Sequence, residues 1–322
     1  MLRTQPSPGG RPMIGIIKSS LPDARNLSAI EALNAAAQLG LKGLLFNSLY
    51  DLSPNLDPSE MQTVRAEADR LDLFISASLG VVNPALPFRG EKIAEAGAGD
   101  MEAGVRRLVS LAADIGIHDL FFVIGMIEER FSETVTWQVQ RDAVAALILR
   151  CAPLLRERGS KLLIKTHEEI TTAEIVALVE TVGPDLLGVA YDPVNVLCRL
   201  EDPVEAARRV APFAVQVHYD DAIVRFEDRG IRRFLSPAGE GAIDWEAILA
   251  LMPKANVWIE MHSGQFAMPV FDPAWLRLQP GIALNEYASV LAMAVKFGGR
   301  EMPWDQTRPT DRLPQAYRNL LK

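Results

Sequence analysis

Cysteine and histidine are scarce in this 322-residue chain, at two and four copies, and each scarcity removes a class of function. Cys151 and Cys198 cannot build the disulfide framework that staples small secreted domains, and no zinc-ribbon spacing is present. Cys151 lies in an apolar helical pattern and reads as a buried structural thiol. No apolar run approaches the roughly 18 residues of a membrane span. Positive charge is not in excess either. A net charge of −8 denies a phosphate backbone the basic face it needs, so no nucleic-acid partner is expected. Residues 1–12 hold Pro and Gly but no apolar signal-peptide core, and are expected to form a disordered lead-in. What is present, 49% hydrophobic and 23% charged residues, is ordinary for a soluble protein with a large core. A cytoplasmic location is the expectation.

Short apolar runs alternate with helical patterns along the chain. The predicted strands are Met13–Lys18, Gly43–Phe46, Leu73–Ser78, Leu120–Ile124, Leu162–Lys165, Leu187–Tyr191, Ala214–His218 and Val257–Glu260. Continuous apolar strands separated by helices imply a parallel sheet covered on both faces. Eight such units predict a single-domain (β/α)8 barrel over residues 13–300, followed by an irregular tail over 301–322. Helix punctuation agrees: Ser28 with Glu31 and Thr171 with Glu174 read as capping boxes, and Asp57-Pro58 as an N-cap with proline at N1. Two long connections, Leu79 to Asp100 and Tyr219 to Ile243, are expected to act as lids or specificity loops.

Polar clusters follow four of the strands directly: Lys165-Thr166-His167-Glu168-Glu169, Asp192-Pro193-Val194-Asn195, His218-Tyr219-Asp220-Asp221 and Glu260-Met261-His262. A barrel keeps its chemistry at these C-terminal strand ends. Asp, His and Glu converging there can hold a divalent cation. Asp192, His218 and Glu260 are the expected ligands, with an acid beside His218 to orient its ring. For Asp192-Asn195 the alternative is an Asx turn capping the next helix. For Glu260 it is a salt bridge to a loop arginine. Lys165 stands at an interior position. It could pair with Asp192 or Glu260, replace a cation, or donate a proton if burial lowers its pKa. Substrate contacts are expected from His167, Glu168, Asn195, Asp221, Glu240 on the Gly239–Asp244 turn, and His262. Arg225, Arg229, Arg232 and Arg233 either recognise an anion or are solvated.

These motifs, with Gly239-Glu240-Gly241-Ala242-Ile243-Asp244 and Ile259-Glu260, resemble those of the xylose-isomerase-like TIM-barrel superfamily of sugar isomerases, epimerases and related lyases. The likeness in order and spacing covers the second half of the chain. It implies one divalent metal ion (Mn, Mg, Zn or Co) held by Glu, Asp, His and Glu from strands five to eight. Asp192, His218 and Glu260 carry over, but the strand-five Glu-x-His is Lys165-Thr166-His167 here. A charged lysine has no acceptor with which to ligate. His167, Glu168 or water then completes the site, or the metal is absent and the ammonium stands in for its charge. The implied activity is isomerisation or epimerisation of a small sugar or hydroxyketone, by proton transfer next to a carbonyl through an enediolate, with Lys165 and Glu260 catalytic. The alternative is a decarboxylase or lyase acting on a sugar-derived keto acid, with Lys165 as acid or electron sink. A non-catalytic barrel binding a sugar acid is a third reading. Abasic-site endonucleases share the superfamily, but too few histidines and the negative charge speak against that activity. The partner is a carbohydrate-type small molecule, no membrane is involved, and homo-oligomerisation stays open.

Overall fold

The apolar runs become strands in the computed structural model, which describes residues 13–320 except 280, 298 and 300–308. In chain order the strands are β1 (Ile14–Ile17), β2 (Gly43–Phe46), β3 (Phe74–Val81), β4 (Asp119–Val123), β5 (Lys161–Lys165), β6 (Leu187–Tyr191), β7 (Ala214–Tyr219), β8 (Asp221–Glu227), β9 (Gly230–Ser236), β10 (Asn256–Ile259) and β11 (Phe266–Met268). Strands β1 to β7 and β10 close a parallel barrel. At the seam, β1 pairs with β10 through Ile14–Val257 and Ile16–Ile259. This is the predicted (β/α)8 architecture.

Alternation along each strand sorts side chains into two compartments. Ile17, Leu45, Phe121, Leu163, Ala190 and Trp258 form the inner cluster, while Ile16, Leu44, Ile164 and Val257 join the larger core under the helices. Trp258 floors the barrel, fully buried and stacked on Phe74 at 4.9 Å. It leaves no room for a side chain at position 15 of β1: a Cβ on Gly15 would lie 2.4 Å from the indole and 2.8 Å from the Gly43 carbonyl. Around the barrel the expected caps are formed. The Ser28 and Thr171 side chains each accept the N3 amide and receive the N3 glutamate in return, and Asp57 caps the helix Pro58–Arg70. Both thiols are buried, and burial pushes Cys151 and Cys198 up to about 11. Among the described residues no helix is long and apolar enough to cross a membrane.

Three segments differ from their expected irregular form. The connection from Tyr219 to Ile243 is mostly a hairpin, β8 with β9, which β11 extends to a three-stranded antiparallel sheet. Alternating Ala222, Val224, Ile231 and Leu235 bury one face of it, a period-two signal within the predicted loop. The connection after β3 holds a short helix, Glu91–Ala96. In the tail, Leu313–Leu320 is helical, with Pro314 in the first turn and Leu313 and Ala316 packed on the core. Residues 1–12 and 301–308 lie outside the described residues.

Candidate active site

The inward positions can be counted up from the barrel floor. Two residues beyond Leu163, Ala190, Gln216 and Trp258 stand Lys165, Asp192, His218 and Glu260. One more step gives His167, Asp220 and His262. Parity along the strands therefore assembles the polar mouth, and the same parity sends Tyr191 and Val217 outward.

Asp192, Glu260 and His262 offer two carboxylate oxygens and one imidazole nitrogen, all within 4.8 Å of one another. His262 Nε2 lies 3.3 Å from both Asp192 Oδ2 and Glu260 Oε1. Its other nitrogen, Nδ1, donates to Asp220 Oδ2 at 2.7 Å, and the His262 amide donates to the same oxygen at 2.9 Å. A carboxylate that fixes the ring from behind and leaves Nε2 facing the acids is a standard arrangement for a metal-binding histidine. The donor set suits a divalent ion of hard or borderline character, such as Mn, Mg, Zn or Co. The expected third ligand, His218, is not in this trio. It lies beneath, donating Nδ1 to Glu260 Oε2 at 2.5 Å, with its ring edge against Phe121 and no partner for Nε2.

Lys165 sits among the same groups. Its Nζ is 2.7 Å from Glu260 Oε2, 3.1 Å from Asp192 Oδ2 and 3.5 Å from His262 Nε2. The ammonium thus occupies space that a cation bound to all three would need. Burial alone would depress the Lys165 pKa, but Glu260 and Asp192 outweigh it and hold the pKa above its ordinary value. A proton-donating Lys165 with a lowered pKa is thereby corrected: the two carboxylates keep it an ammonium. Glu260 suffers the opposing push of burial, yet His262, Lys165 and His218 draw its pKa well below the carboxylate range. Burial, reinforced by Lys165, lowers the His218 pKa and keeps that ring neutral. His262 resists the same burial because Glu260 and Asp192 raise it.

The Asx-turn alternative for Asp192-Asn195 is realised, and it leaves one Asp192 oxygen facing the site. Asp192 Oδ1 accepts the Val194 amide and caps the short helix Pro193–Val196, while Oδ2 faces Lys165. Asn195 donates to Asp192 Oδ2 at 2.9 Å and accepts from Arg233 Nη1 at 3.0 Å. Thr166, pointing away from the axis, ties β5 to the Asp192 backbone: its hydroxyl donates to the carbonyl at 3.0 Å and accepts the amide at 2.6 Å. His167 Nδ1 lies 2.5 Å from Glu169 Oε2, and Glu169 is held by the Ile124 and Gly125 amides at 3.2 Å. Glu168 accepts the Ile127 amide at 3.2 Å, which directs it toward the β4 exit.

Asp221, expected to touch substrate, is instead a loop latch. Its Oδ1 accepts Ala222 and Ile243 amides and its Oδ2 accepts Gly239 and Gly241 amides, at 2.8 to 3.1 Å. Those four donors use the carboxylate completely. Burial nevertheless pushes Asp221 up to about 7. Glu240 rides on the turn that this latch holds. Of the four loop arginines only Arg233 is buried; Arg229 is paired to Asp272 and Arg232 to Glu227 at the surface, and Arg225 lies over Phe234. Sequence reasoning gave no specific role to Asp220, Glu169 or Arg312. The parity count finds Asp220, because it follows His218 by two. Arg312 has no local signal, since the chain's return across the barrel mouth brings it to the His262 carbonyl.

Comparison with known proteins agrees with the barrel fold. The chain is 29% identical over 94 residues to the uncharacterised protein YihM of Escherichia coli strain K12, a match spanning 29% of either chain. It is 25% identical over 208 residues to the 3-oxo-isoapionate decarboxylase of Pectobacterium atrosepticum, covering 54% of this chain and 76% of the relative. The crystal structure of a D-psicose 3-epimerase with D-tagatose from Clostridium cellulolyticum H10 superposes with a TM-score of 0.62 at 14% identity, over 88% of this chain and 98% of the other. Residues 33–274 match the family model described as xylose isomerase-like TIM barrel, and the chain belongs to that family.

Proposed function

We propose that the protein is a metal-dependent isomerase or epimerase of a small sugar or hydroxyketone, moving a proton at the carbon next to a carbonyl. The observation that carries this reading is the trio Asp192, Glu260 and His262, converging at the strand ends with Asp220 behind the histidine. These residues would hold a divalent ion, which supplies positive charge to the carbonyl and adjacent hydroxyl oxygens of the substrate. Glu260 takes the proton from carbon. It is the most open acid of the trio, and the His218 hydrogen bond fixes its carboxylate. Lys165, displaced from between Asp192 and Glu260 by the ion, would present its ammonium to the oxygen on which negative charge grows. His167, oriented by Glu169, is the second proton carrier at the strand ends. Asn195 orients Asp192 through its hydrogen bond, and Glu168 is left to contact a substrate hydroxyl on the β4 side of the mouth.

A second reading is favoured by the charged Lys165 and by the Pectobacterium relative named as a decarboxylase. In a 3-keto acid the bond to the carboxylate breaks, its electron pair passes to the carbonyl oxygen beside the ammonium, and a proton then adds at carbon. One experiment tests both. Manganese-loaded protein is incubated in D2O with ketopentoses, ketohexoses and 3-keto sugar acids, and followed by NMR. Deuterium entering next to the carbonyl without loss of CO2 supports the isomerase reading. Stoichiometric CO2 release with one deuterium added replaces it with the second. Absence of both across the panel refutes both.

A further inference from the structure

Three arginines near the barrel mouth are buried without an acid to pair with. Arg199, Arg233 and Arg312 are each at most 5% exposed. Other buried cations of the molecule are matched: Arg65 by Asp69, Arg130 by Glu174, Lys165 by Asp192 and Glu260. No described carboxylate lies within ion-pair distance of the three. Two of them stand directly behind the cluster. Arg233, on β9, donates Nη1 to Asn195 Oδ1 at 3.0 Å and to Val194 O and Cys198 Sγ at 3.3 Å, and its Nε has no partner. Arg312 donates Nη2 to the His262 carbonyl, and its Nε and Nη1 have no partner. Asn195 and His262 both touch Asp192. The two guanidinium groups therefore flank one site.

Guanidinium cannot shed its proton to escape burial, so a buried one without a counter-charge is costly. The two also oppose each other. Burial lowers the Arg312 pKa, and the charge on Arg233 adds to that depression against the pull of Asp220. The acids of the site cannot relieve them. Asp192 and Glu260 face Lys165, and Asp220 is taken up by His262. Among the described residues Asp220 acts on Arg312 only through space, and no carboxylate pairs with either guanidinium.

We propose that Arg233 and Arg312 form an anion subsite, and that the substrate is a sugar acid whose carboxylate docks there while its carbonyl lies at the Asp192–Glu260–His262 cluster. This rests on the reading of that cluster as a site for a sugar-like carbonyl compound. It narrows the substrate class from neutral sugars to polyhydroxy acids, and gives Arg233 and Arg312 the role of selecting them.

Calorimetric titration of manganese-loaded protein tests it, with gluconate and threonate against glucitol and threitol, which share their hydroxyl groups. An acid should bind about tenfold more tightly than its alditol, or better, as expected for hydrogen bonds to a charged group. Arg312→Met should erase most of that preference without lowering the ligand-free melting temperature, because it removes an unmatched buried charge. Arg233→Gln is the second variant, should the first fail to fold. Equal binding of acids and alditols overturns the proposal. So does a preference that survives both substitutions, which places the carboxylate on the metal. Tighter binding of glucose 6-phosphate than of either acid, lost in the same variants, overturns the carboxylate assignment in favour of a phosphate. The D2O exchange assay is read separately. Acid preference without exchange keeps the subsite and removes the isomerase reading; exchange of neutral ketoses without acid preference does the reverse.

Discussion

Replacing Lys165 by methionine removes the ammonium wedged between Asp192 and Glu260 while keeping most of the side-chain volume. The wild-type ammonium lies 3.1 and 2.7 Å from those carboxylates, and Asp192 is fully buried. Deleting one partner of a buried ion pair costs about 3–5 kcal/mol, because the other charge is left uncompensated. At about 2 °C per kcal/mol for a chain of this size, the variant should melt roughly 6–10 °C below wild type in chelator. Excess manganese should then close the gap, since an ion present at about a thousandfold its Kd contributes about 4 kcal/mol. The wild type should gain less from the same manganese, because Lys165 competes for the same oxygens. Thermal unfolding of both proteins, in chelator and across a manganese titration, reads all of this. Lys165→Glu should shift still further, binding manganese more tightly than either while losing native turnover. If Lys165→Met is as stable as wild type in chelator, or binds manganese more weakly, the ammonium neither compensates nor competes and the reasoning fails. Undiminished turnover in both variants would remove Lys165 from the mechanism.

Asp220→Asn should weaken manganese binding by about 10- to 100-fold, the usual effect of losing the group that orients a metal-bound histidine; unchanged affinity would leave His262 outside the site. Gly241→Ala would put a Cβ 2.0 Å from Asp221 Oδ1 and force the latch open. It should cost about 1–3 kcal/mol and speed amide exchange at Ala222, Gly239 and Ile243, and unaltered exchange there would speak against the latch. Glu201 sets a pH dependence. Burial, its largest influence, raises its carboxyl from 4.5 to about 7, against the hydrogen bonds from Thr172 and the pull of Arg209. The native state holds this proton to higher pH than the unfolded chain does. Its contribution to stability is therefore complete below pH 4.5 and is lost as pH rises through about 7, at about 1.4 kcal/mol for each unit of the shift. Urea unfolding from pH 4.5 to 8 should show this slope in wild type and a flatter one in Glu201→Gln; identical slopes count against it.

How far each part could be read from sequence follows from the range of the interactions involved. All eight barrel strands announce themselves as apolar runs because each is buried on both faces. The inward ranks of Lys165, Asp192 and Glu260 follow from alternation, which is local to each strand. Which histidine meets the acids does not. His218 and His262 are both inward by parity, and the choice depends on depth: His218 lies one layer lower, under Glu260. The role of Asp221 was hidden because its partners are backbone amides of Gly239, Gly241 and Ile243, which carry no side-chain signature. The hairpin β8–β9 was obscured by the run of arginines on it, although its inward residues alternate. Arg312 reaches the site through a contact fifty residues away in sequence from His262, beyond any local pattern.

The seam between β1 and β10 fixes the timetable of synthesis. Met13 and Asn256, which hydrogen-bond across it, are 243 residues apart. At about 5–20 residues per second, β1 waits roughly 12–50 s after leaving the ribosome before its second neighbour exists. Through that interval Ile14–Ile17 has β2 on one side and an open hydrogen-bonding edge on the other. Asp192 and Lys165 are likewise complete before Glu260 has been translated, so the proposed cation site stays open until the last barrel strand is made. Synonymous changes that slow translation between codons 200 and 256 would lengthen the exposure of that edge, and would be felt as aggregation during expression without any change in the protein finally made.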